Sequence, residues 1–163
     1  MRQLTALGVL VLVTIACAQT GDLRNWFNDP FFQLTSAVPG CIEPAGPRVT
    51  AAESLAQSHR RAEKGTTCWL AKEQDCERSS AYSYDQDIAA HIRSALPAMA
   101  LPGTSLWVTV HGRVVYVEGC VQQELQGFQA AAAIRALPHV QQVIAIVSAS
   151  PAASAPYRVL GRR

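Results

Sequence analysis

The chain has 163 residues, of which 49% are hydrophobic and 16% are charged, and its formal net charge is +2. This is an ordinary globular composition, sufficient for one small domain with extensions. Because Lys and Arg form no dense block, the charge pattern excludes nucleic acid as an expected partner.

The first eighteen residues are predicted to be a signal peptide. Arg2 precedes an apolar run over residues 4–15 that is too short to span a membrane comfortably. Ordinary cleavage after Ala18 is one expectation. The other is a lipobox ending at Cys17, which would become the lipidated first residue, although Thr14 stands where bacterial lipoproteins usually have Leu. We favour lipidation, because it would account for an odd fifth cysteine.

Residues 19–84 are predicted to form a cysteine-containing extension. Pro and Gly punctuate residues 20–48, which disfavours regular structure there. Thr50 and Glu53 form a capping box that predicts a helix near residues 51–64, and Gly65 follows as an expected C-terminal cap. Five large apolar side chains of the extension are expected to pack onto the domain rather than to form a free patch. They are Trp26, Phe27, Phe31, Phe32 and Leu34.

Four cysteines follow either cleavage site: Cys41, Cys68, Cys76 and Cys120. They lack CxxC spacing and neighbouring histidines, so the sequence predicts disulfides in an oxidising compartment rather than a zinc site. Three connectivities are open. We favour the pairing that ties the loop carrying Cys68 and Cys76 to Cys41 and to Cys120.

A helix is predicted over Asp85–Ala95, with Ile88 and Ile92 on its buried face. Asp85 and Asp87 fall in its first turn, where the helix dipole favours negative charge. No nucleophile or oriented base lies near them in sequence, so an acid–base pair is not expected.

A β-hairpin follows this helix, with its turn at His111-Gly112-Arg113. Alternation places one set of side chains inward: Leu106, Val108, Val110, Val115, Val117 and Val121. Gly119 interrupts the return strand, which predicts a bulge or a close backbone approach. Cys120 points outward, toward the open face of the sheet, where we expect the extension to lie.

A second helix is predicted over residues 122–137, followed by a third strand ending at Val147. One side of this helix carries Ala130, Ala133, Ile134 and Leu137, and the nearly opposite side carries Leu125, Phe128 and Ala132. A helix that is apolar on two sides needs two partners: one is the sheet, and the other is the extension, another subunit or a membrane surface. Alternatively, Leu125 belongs to the preceding loop. Residues 149–163 are rich in Pro, Ala and Ser and are predicted to be a flexible tail.

The order helix, strand, strand, helix, strand over residues 85–147 resembles the BON domain of bacterial osmotically inducible and nodulation proteins. The matching residues are Asp87-Ile88, Ile92 and Leu96, then Val108–Val115 and Val117–Val121, and last His139-Val140-Gln-Gln-Val143. His139 replaces the usual Gly of the last motif. The resemblance implies an α+β fold, a small α-β-β-α-β sandwich with a three-stranded sheet and two helices, beside the disulfide-bearing extension.

The resemblance also implies a non-catalytic envelope module that contacts phospholipid or envelope proteins. The residues expected to make this surface contact are Trp107, Tyr116, Phe128 and Arg113. A subunit of an envelope secretion or assembly machine is the alternative. An enzyme is not expected, because motifs for nucleophiles, phosphates and metals are absent from the sequence. No cofactor or metal is expected, and the expected location is the periplasm, either anchored to the outer membrane by lipid or soluble.

Overall fold

The computed structural model describes residues 21–70, 76–95, 97, 99–149 and 154–160. The predicted signal peptide, the lipidation of Cys17 and parts of the tail lie outside these residues. The elements in chain order are β1 (Phe31–Gln33), α1 (Ala51–Leu70), a 3-10 turn (Ala81–Tyr84), α2 (Asp85–Ala95), β2 (Ser105–His111), β3 (Val114–Cys120), α3 (Glu124–Arg135) and β4 (Gln142–Ser148).

The sheet has four strands in the order β1-β2-β3-β4, which confirms the α+β class and corrects the expected three strands. β2 and β3 form the predicted antiparallel hairpin, and β4 pairs parallel to β3. The additional strand, β1, comes from the extension and pairs antiparallel with β2, with Phe32 opposite Val108. A free β2 edge would expose unpaired backbone groups, and β1 satisfies them.

The hydrophobic core lies between the sheet and helices α2 and α3. The predicted inward positions of both hairpin strands are completely or almost completely buried, as are Ile88 and Ile92 of α2 and Ile134 of α3. Val108, Val115, Val117 and Ile134 all belong to one core cluster. Period-two alternation in the strands and helical spacing in α2 therefore indicated the core correctly.

The hairpin turn is fixed by a carboxylate from α2. Gly112 and Arg113 adopt positive φ values of 59° and 69°, as a two-residue hairpin loop of type I′ requires. Asp85 accepts hydrogen bonds from their backbone N–H groups, at 2.7 Å from Gly112 and 2.8 Å from Arg113. The first turn of α2 and the hairpin are thereby joined.

Gly119 makes the close backbone approach predicted from its position inside a strand. Its φ is +145°, and a Cβ built there would lie 2.1 Å from the carbonyl oxygen of Ser105 on β2. His139 stands where the resemblance leads one to expect Gly, and it still adopts a positive φ of 66°. The turn into β4 thus keeps the left-handed geometry without the residue that favours it.

The two disulfides differ from the pairing that we favoured. Cys41 is bonded to Cys120, with 5.8 Å between their Cα atoms, and Cys68 is bonded to Cys76, with 5.0 Å. The pairing of the Cys68–Cys76 loop with the other two cysteines is therefore wrong. α1 continues to Leu70, so that Cys68 lies in its last turns, buried beside Cys76.

Close packing explains the glycine at position 65, which lies inside α1 and not at its end. A Cβ at this position would lie 3.1 Å from Ser80 Oγ and 3.5 Å from the Tyr82 ring. Gly65 is thus a contact point between α1 and the 3-10 turn, rather than a helix cap.

The extension and part of the tail cover the outer face of the sheet. The Cys41–Cys120 disulfide fastens the extension to β3, and Tyr157 of the tail donates a hydrogen bond from its hydroxyl to the carbonyl oxygen of Ile42 at 2.8 Å. Ala45 donates its N–H to the carbonyl oxygen of Arg158 at 2.7 Å. Residues 157–159 of the tail, which was predicted to be flexible, are therefore held in place by backbone pairing.

Candidate functional site

The exposed side of α3 is the clearest unpartnered apolar surface of the described residues. Leu125 is 61% exposed and Phe128 is 70% exposed, one helical turn apart. Ala132 follows on the same side and is also exposed, and Arg135 continues this side at the end of the helix. We call Leu125, Phe128 and Ala132 the α3 stripe. Leu125 lies within α3, so the alternative that placed it in a loop is wrong.

The opposite side of α3 faces the sheet and explains the orientation of the stripe. Gly127, Ala130 and Ile134 are buried, and a Cβ at Gly127 would lie 2.6 Å from a methyl group of Val147 on β4. The side-chain carbonyl of Gln126 accepts the N–H of Gln123 at 2.9 Å, and its amide donates to the carbonyl oxygen of Pro102 at 2.7 Å. The helix is therefore fixed in rotation, with the stripe outward.

The other large exposed apolar side chains are dispersed. Leu23 and Trp26 lie in the extension, Leu55 in α1 and Val159 in the tail. Trp26 is engaged with the extension itself, because its indole N–H donates to the carbonyl oxygen of Val49 at 2.8 Å. In the part of the chain that the structure describes, the stripe is thus the one place where two large exposed apolar side chains share a helix face.

The four residues expected to form a surface contact are placed very differently. Phe128 is exposed in the stripe, and Tyr116 is half-buried on the outer face of the sheet. Trp107 is only 8% exposed and Arg113 only 4% exposed, so the expectation of a surface role is wrong for both side chains. Trp107 lies on the outer face, which the extension and the tail cover.

Arg113 is buried because its side chain lies against the Cys68–Cys76 disulfide. Its Nε donates to the carbonyl oxygen of His139 at 2.9 Å, and its Nη1 lies 3.0 Å from Cys76 Sγ. Its guanidinium carbon also lies 5.2 Å from the centre of the Tyr84 ring. Arg113 therefore joins the hairpin turn to the disulfide loop and to the turn before β4.

A buried ion pair between Asp29 and Arg61 connects the extension to α1. The pair is bidentate, with distances of 2.6 and 2.8 Å, and the side chains are 5% and 11% exposed. The Arg61 guanidinium lies against Phe27 at 3.9 Å and Tyr82 at 4.3 Å. Such a pair is stable when its geometry is good and its remaining polar atoms are satisfied, as they are here.

His111 completes this cluster from the end of β2. Its Nδ1 lies 2.9 Å from Arg61 Nη1 and 3.4 Å from Asp29 Oδ2, and its Nε2 lies 3.2 Å from the Tyr82 hydroxyl. Burial by itself would raise the pKa of Asp29, but hydrogen bonds and charges from His111 and Arg61 outweigh it and hold that pKa below its ordinary value. No local sequence pattern indicates this cluster, since its members lie far apart along the chain.

The pKa of Asp85 is shifted in the opposite direction from that of Asp29. Burial raises the pKa of its carboxyl, although the two backbone N–H groups of the hairpin turn act against this change. Asp85 is 3% exposed and serves the turn, so it is a structural carboxylate. Asp87, two residues further on, pairs with Arg78 on the surface.

Within the described residues, no three His, Cys, Asp or Glu side chains are grouped so that they could hold a metal ion. All four described cysteines are in disulfides, so these residues offer no thiol nucleophile. Among the described residues, the α3 stripe is the most apolar part of the exposed surface.

Comparison with known proteins agrees with the resemblance noted in the sequence. Residues 84–148 match the family model of the BON domain, in a single copy that runs from the end of the 3-10 turn to the end of β4. No curated protein and no solved structure matches the chain significantly. The extension that supplies β1, α1 and Cys41 lies outside the matched residues.

Proposed function

We propose, from the single BON domain at residues 84–148, that this protein is a non-catalytic cell-envelope protein that binds phospholipid membrane surfaces through the α3 stripe. BON domains are associated with phospholipid binding and are generally non-catalytic. The observation that carries the proposal is the exposure of Leu125 and Phe128 side by side on a helix that is held rigidly by the sheet.

The size of the stripe fits a weak, reversible contact. Complete burial of a Leu or Phe side chain contributes about 1.5–3 kcal/mol, and these two side chains are 61% and 70% exposed, so the pair contributes about 2–4 kcal/mol to membrane binding. Stable attachment to a membrane usually needs a second signal, such as an acyl chain. Lipidation of Cys17 would supply it and would hold the stripe close to the bilayer.

The proposed location is the periplasm, with a lipid anchor in the outer membrane. Two disulfides support an oxidising compartment, because such bonds persist there and are rare in the cytosol. None of the described helices is long and apolar enough to span a bilayer. Labelling with a fatty-acid analogue tests the anchor: wild-type protein is expected to carry the label and Cys17→Ser to lack it.

Co-sedimentation with vesicles of phosphatidylethanolamine and phosphatidylglycerol tests the membrane contact, using the mature chain without its lipid. The double variant Leu125→Ser, Phe128→Ser is expected to lower the partition coefficient about 100-fold. Leu55→Ser is the matched control, because Leu55 is 77% exposed on α1, away from the stripe, and it should bind as the wild type does. Equal partitioning of the double variant and the wild type would contradict the proposal.

The alternative, a subunit of an envelope assembly machine, uses the same surface. A second copy or a partner protein would bury the stripe in place of lipid. Light scattering distinguishes the two: assembly that is lost in the double variant, together with no vesicle binding by the wild type, would favour the alternative.

A further inference from the structure

A polar cleft opens on the outer face of the sheet, on the side away from α3. Its volume is about 230 Å³, and its walls come from three distant parts of the chain. β2 and β3 supply Thr109, Tyr116 and Glu118; the extension and α1 supply Val49 and Gln57; the tail supplies Arg158. The family match covers the two strands only, so the cleft belongs to this chain's own combination of domain, extension and tail.

The tail closes the cleft in a defined position. Arg158 donates hydrogen bonds to the carbonyl oxygens of Arg48 at 2.6 Å and Gly46 at 3.2 Å, and Val159 pairs with Pro44. Both hydrogen bonds come from Nη2 and hold the Arg158 guanidinium in place at the wall of the cleft.

Polar atoms in this cleft lack protein partners. Thr109 is only 7% exposed, and its Oγ1 is buried with no hydrogen-bond partner among the described residues. Within those same residues, the Tyr116 hydroxyl and the Glu118 carboxylate also have no hydrogen-bond or ion-pair partner. Burial raises the pKa of Glu118, with the charge of Arg158 acting against it. Since leaving a buried polar group unsatisfied is costly, the Thr109 hydroxyl indicates a ligand that satisfies it, and the half-buried Tyr116 and Glu118 side chains beside it offer two further polar groups.

The chemistry of the walls selects the class of ligand. The hydroxyls of Thr109 and Tyr116 and the side-chain amide of Gln57 can each donate and accept hydrogen bonds. This combination suits a ligand that carries several hydroxyl groups. The carboxylates of Glu118 and Asp29 disfavour an anionic ligand and Arg158 disfavours a cationic one, so a neutral ligand is favoured. A volume of about 230 Å³ is below the range typical of drug-sized ligands, and it therefore limits the occupant to a single small ring or its equivalent.

We propose that this cleft binds one neutral sugar ring, as a free monosaccharide or as a unit of an envelope glycan. The sugar hydroxyls would satisfy Thr109 Oγ1, the Tyr116 hydroxyl and the Glu118 carboxylate, and the rest of a glycan would leave through the open side. This inference goes beyond the membrane proposal and does not depend on it, because the α3 stripe and the cleft share no residue.

Titration of the ¹⁵N-labelled mature chain with glucose, galactose and N-acetylglucosamine tests the inference by NMR. At least one of the three is expected to give saturable shifts of the backbone amides of Thr109, Tyr116 and Glu118. Glucuronate and glucosamine, which carry charge, are expected to bind more weakly. Absence of saturable shifts with all three neutral sugars, or tighter binding of a charged one, would overturn the proposal.

Two substitutions separate binding from folding. Thr109→Val keeps the shape and removes the unpartnered hydroxyl, so the fold should be as stable as the wild type or more stable, while sugar affinity falls about tenfold. Glu118→Gln keeps the shape and removes the charge, and it should weaken binding similarly. Folded variants that bind sugar as tightly as the wild type would refute the assigned contacts. Phe128→Ser is the control and should leave the sugar titration unchanged, whatever its effect on vesicles.

Discussion

The two disulfides should contribute unequally to stability, because they close chain loops of very different length. Cys41 and Cys120 are 79 residues apart, whereas Cys68 and Cys76 are 8 apart. In the loop-closure description, a cross-link removes entropy from the unfolded chain that grows with the logarithm of the loop length. That relation gives about 4.5 kcal/mol for the long loop and about 2.5 kcal/mol for the short one.

Replacing each pair by two alanines provides a matched comparison. Each disulfide contains one almost completely buried cysteine, Cys120 at 2% exposure and Cys68 at 1%, so the loss of packing should be similar in the two variants. The difference between them, about 2 kcal/mol, therefore reports loop closure. The variant without the Cys41–Cys120 bond should be the less stable.

Urea unfolding of the mature chain, followed by far-UV circular dichroism, measures both free energies. The reasoning is refuted if the variant without the Cys68–Cys76 bond is equally or less stable than the variant without the long-range bond. In that case local packing at the end of α1, rather than the entropy of the unfolded chain, would control the stability of the domain.

Three further predictions concern single side chains. Arg61→Met should lower the free energy of unfolding by about 3–5 kcal/mol, because it leaves Asp29 charged and buried; Arg24→Met, at an exposed ion pair, should change it by less than about 1 kcal/mol in the same urea titration. Because the folded-state pKa of Asp29 lies below its ordinary value of 3.8, this carboxyl stabilises the fold above that value and loses its contribution as the pH falls through the folded-state pKa. The melting temperature of Asp29→Asn should therefore fall less steeply with acidification below about pH 4 than that of the wild type; an equally steep fall would contradict the assignment. Gly119→Ala should destabilise the protein by more than Gly40→Ala, since both have positive φ but only a Cβ at Gly119 meets backbone atoms; thermal melts that rank them in reverse would disprove it.

Local patterns determined the core of the BON domain. The alternation of the hairpin strands and the spacing of Ile88 and Ile92 indicated the buried faces, and the structure has α2 over the predicted residues, Asp85–Ala95. The two-sided apolar character of α3 also pointed to the stripe, since one side packs on the sheet and Leu125 and Phe128 remain exposed. These patterns succeed because side chains on one face of a helix recur every three or four residues, and side chains on one face of a strand recur every two residues.

The candidate sites were only partly visible in the sequence. Phe128 could be found from helical spacing. Trp107 and Arg113 were misplaced because the burial of Trp107 depends on the extension and that of Arg113 on the Cys68–Cys76 disulfide. No sequence pattern indicated the polar cleft on the outer face of the sheet, since Thr109, Tyr116 and Arg158 are brought together by strand pairing and by docking of the tail.

The sequence by itself therefore determined the class of fold, the inward face of the hairpin and the presence of disulfides. The tertiary structure decided the fourth strand, the pairing of the cysteines and the covered outer face. Phe31–Gln33 is too short to show alternation and becomes a strand only because the β2 edge offers it unpaired backbone groups. Cysteine pairing is likewise decided by distances between chain segments that are remote in sequence, which no local pattern records.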